Sequence, residues 1–192
     1  LVLHELGGHG TLLNHVATTR FHFAHSAGDS LAAILNDPES NAEKKGETFP
    51  WLSVYDRWHD RKVESGWGWD GPKDLNDGSD QLEREQILST THFNLYKAIG
   101  GGADPSEVSR RRFAAKFTAY LMLRAIQTLT HPTNPQHASD WLYSLIVADA
   151  CDWITDAEGH LSGGAYEKVI YWAFRKQGLF NSAPPDVDVY ID

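Results

Sequence analysis

Cysteine is almost missing from this chain. Cys151 stands alone among 192 residues, which excludes an internal disulfide framework, and its apolar helical surroundings predict a plain buried thiol. Long apolar runs are missing too; none approaches the length of a membrane-spanning helix. Cations are scarce, with 17 Lys and Arg against 26 Asp and Glu and a net charge of -9. That balance argues against a general nucleic-acid surface, because phosphate binding needs clustered Lys and Arg. The one basic run, Arg110-Arg111-Arg112, heads a helical pattern and reads as a solvated turn. What is present is an ordinary globular composition, 41% hydrophobic and 22% charged, in a chain long enough to bury the core of one domain.

The apolar spacing predicts a mainly α-helical fold. Residues 1–17 read as a helix, with Leu3, Leu6, Leu12, Leu13 and Val16 set around histidines. A second helix runs over 21–35 and stops at Asn36-Asp37-Pro38, since proline removes a donor and clashes with the preceding turn. Residues 38–80 are irregular and rich in Trp, Gly, Asp and Pro, a composition that suits a functional or partner-covering loop. Helices are expected near 81–99, 106–130, 135–154 and 162–178, separated by Gly100-Gly101-Gly102, the Pro132–Pro135 segment and Asp156–Gly159. The chain thus divides into metal-site helices with a Trp-rich loop (1–80), a helical C-terminal part of the same unit (81–180) and a tail (181–192).

The chemistry is concentrated in "HELGGHG", residues 4–10. A catalytic zinc takes three protein ligands and keeps one position open. Histidines one turn apart on a helix differ by only about 40° around its axis, whereas His4 and His9, five apart, would diverge by about 140°. Gly7 and Gly8 supply a remedy. Glycine tolerates distortion, and one extra residue can be absorbed as a π-bulge that returns His9 to the face of His4 and leaves Glu5 beside the attacking water.

This motif resembles the variant His-Glu-x-x-x-His motif of the dipeptidyl peptidase III family and, more broadly, the layout of the thermolysin-like gluzincins. In those peptidases a downstream helix bears a metal-binding Glu and, four residues later, an Asp that orients the first His. "FAHSAGDSLAAIL" has that format, with His25 at the ligand position and Asp29 four residues on. The departure is His where the family has Glu. Neutral imidazole is a good zinc ligand, so the favoured reading is Zn²⁺ on His4, His9 and His25, with Asp29 accepting the ring N–H of His4. The rival places Asp29 itself on the metal. The stretches "FTAYLMLRAIQTLTHPTNPQHASDWLYSLIVADACDW" and "GGAYEKVIYWAFRKQGLF" resemble the closing helices of thermolysin-like and fungalysin-like peptidases, over about 113–180.

The resemblance implies a zinc peptidase acting on peptides or proteins, with Glu5 moving the proton and a further donor opposite the metal. His92 is the first candidate for that donor; His59, Tyr96 and Arg84 compete. It also implies a secreted or extracytoplasmic setting. The chain lacks an initiator Met, and its motif begins at the fourth residue. It is therefore expected to be the C-terminal part of a longer polypeptide, without the sheet layer that borders such sites, its N-terminal side covered by a partner or preceding segment. The second expectation is a non-catalytic helical metal-binding or interaction module derived from such a peptidase.

Other patterns fail on particular residues. A metzincin third ligand at His15 lacks its turn glycine, since Leu12 stands there, and the sole methionine, Met122, sits in the apolar "AYLMLRA". On one continuous helix His4 and His15 would lie about 16 Å apart. His22, three before His25, reads as polar surface. "GHGTLLNHVA" is similar to a subtilisin-like segment but carries an inserted Leu-Leu-Asn, and no nucleophile segment follows. "DLNDGSDQLERE" alternates oxygen donors as a calcium loop does, but Ser79 replaces the required glycine and Asp80 reads better as a helix cap. Calcium is the weaker metal candidate.

Overall fold

A computed structural model of the chain describes residues 2–7, 23–49, 61–66, 81–130, 135, 138–151 and 153–179. It is mainly helical, as the apolar spacing predicts. Helix α1 (Val2–His4) continues as a π-helical turn over residues 5–7. It is followed by α2 (Phe23–Asn36), α3 (Gln81–Tyr96), α4 (Val108–Thr128) and α5 (Ala138–Ala150). Strands β1 (Ile154–Thr155) and β2 (Leu161–Ser162) form a small antiparallel hairpin, and α6 (Glu167–Lys176) closes the order. No described helix is long and apolar enough to cross a membrane.

Helix α2 is the hub. Its stripe of Ala27, Leu31 and Ile34 lies at three- and four-residue spacing and is buried against α3 and α4, while α1 lies across its first turns. Helix α3 is buried continuously from Gln86 to Tyr96, polar residues included. That run survives burial because its polar groups find partners. The Thr91 hydroxyl donates to the carbonyl of Ile87, Gln86 Oε1 accepts from the amide of Lys62, and the Thr90 hydroxyl donates to the Lys62 carbonyl. Leu121, Met122 and Ala125 of α4 then meet Trp141, Leu142 and Leu145 of α5, and Ile170, Ala173 and Phe174 of α6 close the core.

Three local expectations are corrected. The Arg110–Arg112 run is not a uniformly solvated turn. Arg112 is exposed and pairs with Glu39, but Arg111 is buried and donates from Nη2 to Asp37 Oδ2 at 2.7 Å. Asp37 also accepts from the Tyr96 hydroxyl at 2.6 Å and pairs with Lys45 at 2.8 Å. Burial opposes ionisation there, yet these donors hold the carboxyl below its usual range. Cys151 is half-buried, not buried, with its thiol donating to the carbonyl of Val147. The helix expected to reach 154 ends at Ala150, and a hairpin follows. Its turn is held by Asp156 Oδ1, which accepts from the amides of Glu158 and His160, a local competitor to helical bonding.

Candidate metal centre

His4 reaches α2 because residue 28 has no side chain. A Cβ built on Gly28 would lie 2.6 Å from the carbonyl oxygen of His4 and 3.1 Å from its Cα, so the two backbones meet only over glycine. One residue along the helix, Asp29 Oδ1 accepts from His4 Nδ1 at 2.5 Å, the contact that the resemblance to gluzincins implies. Both groups are buried: Asp29 has no exposed surface and His4 has 4%. The π-helical turn of Glu5, Leu6 and Gly7 follows His4 directly, with Glu5 on the exposed side.

The second oxygen of Asp29 has its own donor. Arg61, 3% exposed, donates from Nε to Oδ2 at 2.7 Å. Burial alone would push this carboxyl up, but the hydrogen bond from His4 and the charge and hydrogen bond of Arg61 more than offset it, and its pKa is lowered. An ionised Asp29 is acceptor-only, so the shared proton sits on His4 Nδ1 and a metal would take Nε2.

His25 lies one turn before Asp29, half-buried, its ring stacked on that of His4 with centroids 5.8 Å apart and planes within 10°. Two imidazoles on one tetrahedral zinc, each nitrogen about 2 Å from the ion, put their ring centres roughly 5 Å apart. An imidazole's ligating lone pair lies in its ring plane, so two stacked, parallel rings direct theirs side by side, and one ring must turn before both nitrogens meet a single ion. Phe49 closes the other side, its ring T-shaped against that of His4 with centroids 4.9 Å apart and planes at 80°. Its backbone has φ 47°, a left-handed conformation that a bulky residue holds only where its surroundings over-determine it. A cavity of about 470 Å³ opens here, lined by His4, Asp29, Asn36, Lys44, Thr48 and Phe49 among others.

Comparison with protein-family models, with curated proteins and with solved structures finds no match to this chain.

The remaining candidates fall elsewhere. His92 is fully buried, with Nδ1 2.8 Å from the Ser30 hydroxyl and Nε2 accepting from the Trp141 indole at 2.7 Å. Ser30 donates onward to the carbonyl of Ser26, so its oxygen accepts from Nδ1–H. Burial pushes the His92 pKa down to about 3. Both nitrogens are engaged inside the core, which leaves no ring N–H for an oxyanion; the role expected of His92 is replaced by a structural one. Tyr96, a competitor, donates its hydroxyl to Asp37. His9, His15, His22 and His59 lie outside the described residues, as does the calcium-like stretch up to Asp80; the side chain of Arg84 is likewise not described.

Among the described residues, the one trio of His and carboxylate donors whose ligand atoms all lie within 4.8 Å is Asp156, Glu158 and His160, all exposed at the hairpin turn. His4, Glu5 and His25 are not drawn together that tightly. Arg61 was the residue sequence reasoning missed. It lies in the irregular aromatic stretch, and its partner is 32 positions away, so no periodicity points to it.

Proposed function

We propose that the chain is a zinc-dependent peptidase, or the C-terminal portion of one, acting on a peptide or protein substrate. The observation that carries this reading is the buried Asp29–His4 hydrogen bond with His25 stacked beside it. A histidine whose Nδ1–H is fixed by a carboxylate presents Nε2 as a ligand, the arrangement metal sites use to fix a tautomer. His25 supplies the second nitrogen. The engagement of both Asp29 oxygens by His4 and Arg61 favours His25 over Asp29 as ligand. His9 is the proposed third.

Bound zinc would supply the Lewis acidity that polarises a peptide carbonyl and activates water. Glu5, exposed and next to His4, takes the proton from the attacking water and returns it to the departing amine.

A second reading draws on the exposed apolar side chains of the same segment. Val2, Leu3 and Leu6 are 68%, 42% and 63% exposed, a surface that suits a helical metal-binding module covered by a partner or by preceding chain. Elemental analysis and Glu5→Gln separate the two. One zinc per chain is expected at neutral pH, and Glu5→Gln keeps it while peptide hydrolysis falls by a factor of about 100 or more. A chain without stoichiometric zinc loses the metal reading. Hydrolysis unchanged in Glu5→Gln removes the base, and zinc retained with no hydrolysis in the unsubstituted chain favours the module.

A further inference from the structure

We propose that Arg61 is a positioning residue for His4, acting through Asp29 to fix both the tautomer and the plane of the imidazole. The inference deepens the metal reading above, although its geometry stands without a metal. The first observation is how firmly the main chain delivers this arginine. Its carbonyl accepts from the amide of Thr48 at 2.9 Å and from the Thr48 hydroxyl at 3.4 Å. The next amide, of Lys62, donates to Gln86 Oε1 at 3.0 Å, and the amide of Val63 donates to the carbonyl of Gly46 at 2.8 Å. The segment carrying Arg61 is thus tied to the 46–48 turn on one side and to α3 on the other, and its guanidinium points into α2.

The second observation is the division of Asp29. A carboxylate with one oxygen on a histidine can swing about its own χ2, because that terminal torsion is broad. With Arg61 Nε on Oδ2 at 2.7 Å and His4 Nδ1 on Oδ1 at 2.5 Å, the carboxylate plane is set by two partners from different elements. Arg61 carries a formal charge in a site where neither it nor Asp29 is more than 3% exposed. A guanidinium so buried is retained only where it is well paired. Phe49, next to the Thr48 that anchors the Arg61 carbonyl, packs T-shaped against the His4 ring. The paired 46–49 and 61–63 segments therefore hold the imidazole from two directions, Arg61 through Asp29 and Phe49 through its ring.

The test uses the full chain with Arg61→Gln, Arg61→Lys and the surface control Arg112→Gln. Ring-nitrogen NMR on the metal-free protein reads the His4 tautomer, and chelator competition reads zinc affinity. The unsubstituted chain and Arg112→Gln are expected to hold His4 in the Nδ1–H form. In Arg61→Gln the tautomers mix and zinc affinity falls about 10- to 100-fold, the usual consequence of losing an outer partner of a ligand. Arg61→Lys keeps the charge and serves where the Gln variant does not fold; it recovers part of the affinity. The proposal is overturned if His4 is not in the Nδ1–H form in the unsubstituted chain. It is equally overturned if tautomer and zinc affinity are unmoved in a folded Arg61 variant. A tautomer that depends on Arg61 in a chain that binds no zinc upholds the positioning role and sinks the metal reading instead.

Discussion

Acid should unfold this protein earlier than its carboxylates alone require, and His92 is the reason. Its Nε2 accepts the indole N–H of Trp141 at 2.7 Å, so protonation would set two N–H groups against each other inside the core. Burial holds its pKa at about 3 against 6.5 for the free side chain. The folded-state pKa is depressed, so the neutral ring contributes stability that is fully present above 6.5. That contribution is lost as pH falls from 6.5 toward 3, because the unfolded chain takes up a proton the folded chain refuses. Across that window the slope approaches about 1.4 kcal/mol per pH unit, which amounts to roughly 2–3 kcal/mol between pH 6 and pH 4. Against a typical total stability of about 5–15 kcal/mol that loss is large. Urea unfolding at a series of pH values, on the unsubstituted chain and His92→Gln, isolates it. Gln can accept from Trp141 and donate to Ser30 but does not titrate in this range. Its own cost is the same at every pH, and the carboxylate contributions of Asp29 and Asp37 cancel in the difference. The two profiles should therefore converge as the pH is lowered. Parallel profiles from pH 6 to pH 4 would refute the buried, singly protonated His92.

Two further substitutions test the packing that builds the site. Gly28→Ala places a methyl 2.6 Å from the His4 carbonyl, so α1 must lift from α2; zinc retention and the His4–Asp29 bond should both be lost while α3–α6 keep their helical circular dichroism signal. Wild-type zinc affinity in a folded Gly28→Ala protein would show that the contact is dispensable. Arg111→Ala strips the buried Asp37 of one of three partners and should cost about 1–3 kcal/mol in thermal or urea unfolding, since Lys45 and Tyr96 still hold the carboxylate. Arg112→Ala, at the very next position, removes a solvent-exposed pair with Glu39 and should leave the unfolding midpoint unchanged.

The elements that could be read from sequence are those with a period. Helices α2 to α6 announce themselves by apolar residues at helical spacing, and the His25–Asp29 offset of four already places two side chains on one face of α2. The π-helical turn at Glu5–Gly7 falls where the glycine pair and the five-residue histidine spacing call for a distortion. What could not be read is pairing across long separations. Arg61 with Asp29, Arg111 with Asp37 and Trp141 with His92 span 32, 74 and 49 positions, and no local pattern encodes them. His92 illustrates the cost of that blindness: a histidine in a helix reads the same whether it donates into a cleft or is satisfied in the core. The surrounding Ser89-Thr90-Thr91 run was the available signal. Small hydroxyl residues that can satisfy themselves on the preceding turn are what a helix buried on every side requires.

The reassignment of His92 also explains why α2 can hold the site still. His25 and Asp29 are one turn apart and face His4; Ser26 and Ser30, each one residue further on, are rotated by about 100° and face α3. On that second face the Ser30 hydroxyl accepts from His92 Nδ1, and His92 in turn accepts from Trp141 of α5. A chain of hydrogen bonds from α5 through α3 thus ends on the residue next to Asp29, while Arg61 grips Asp29 from the other side. Rotating α2 about its axis would break the Ser30–His92 bond together with both Asp29 bonds, and each buried group left unpaired costs about 1–3 kcal/mol. The position of the carboxylate that orients His4 is therefore fixed by core hydrogen bonding as much as by the site itself. His92 thus holds α2 in register from inside the core instead of reaching toward a substrate.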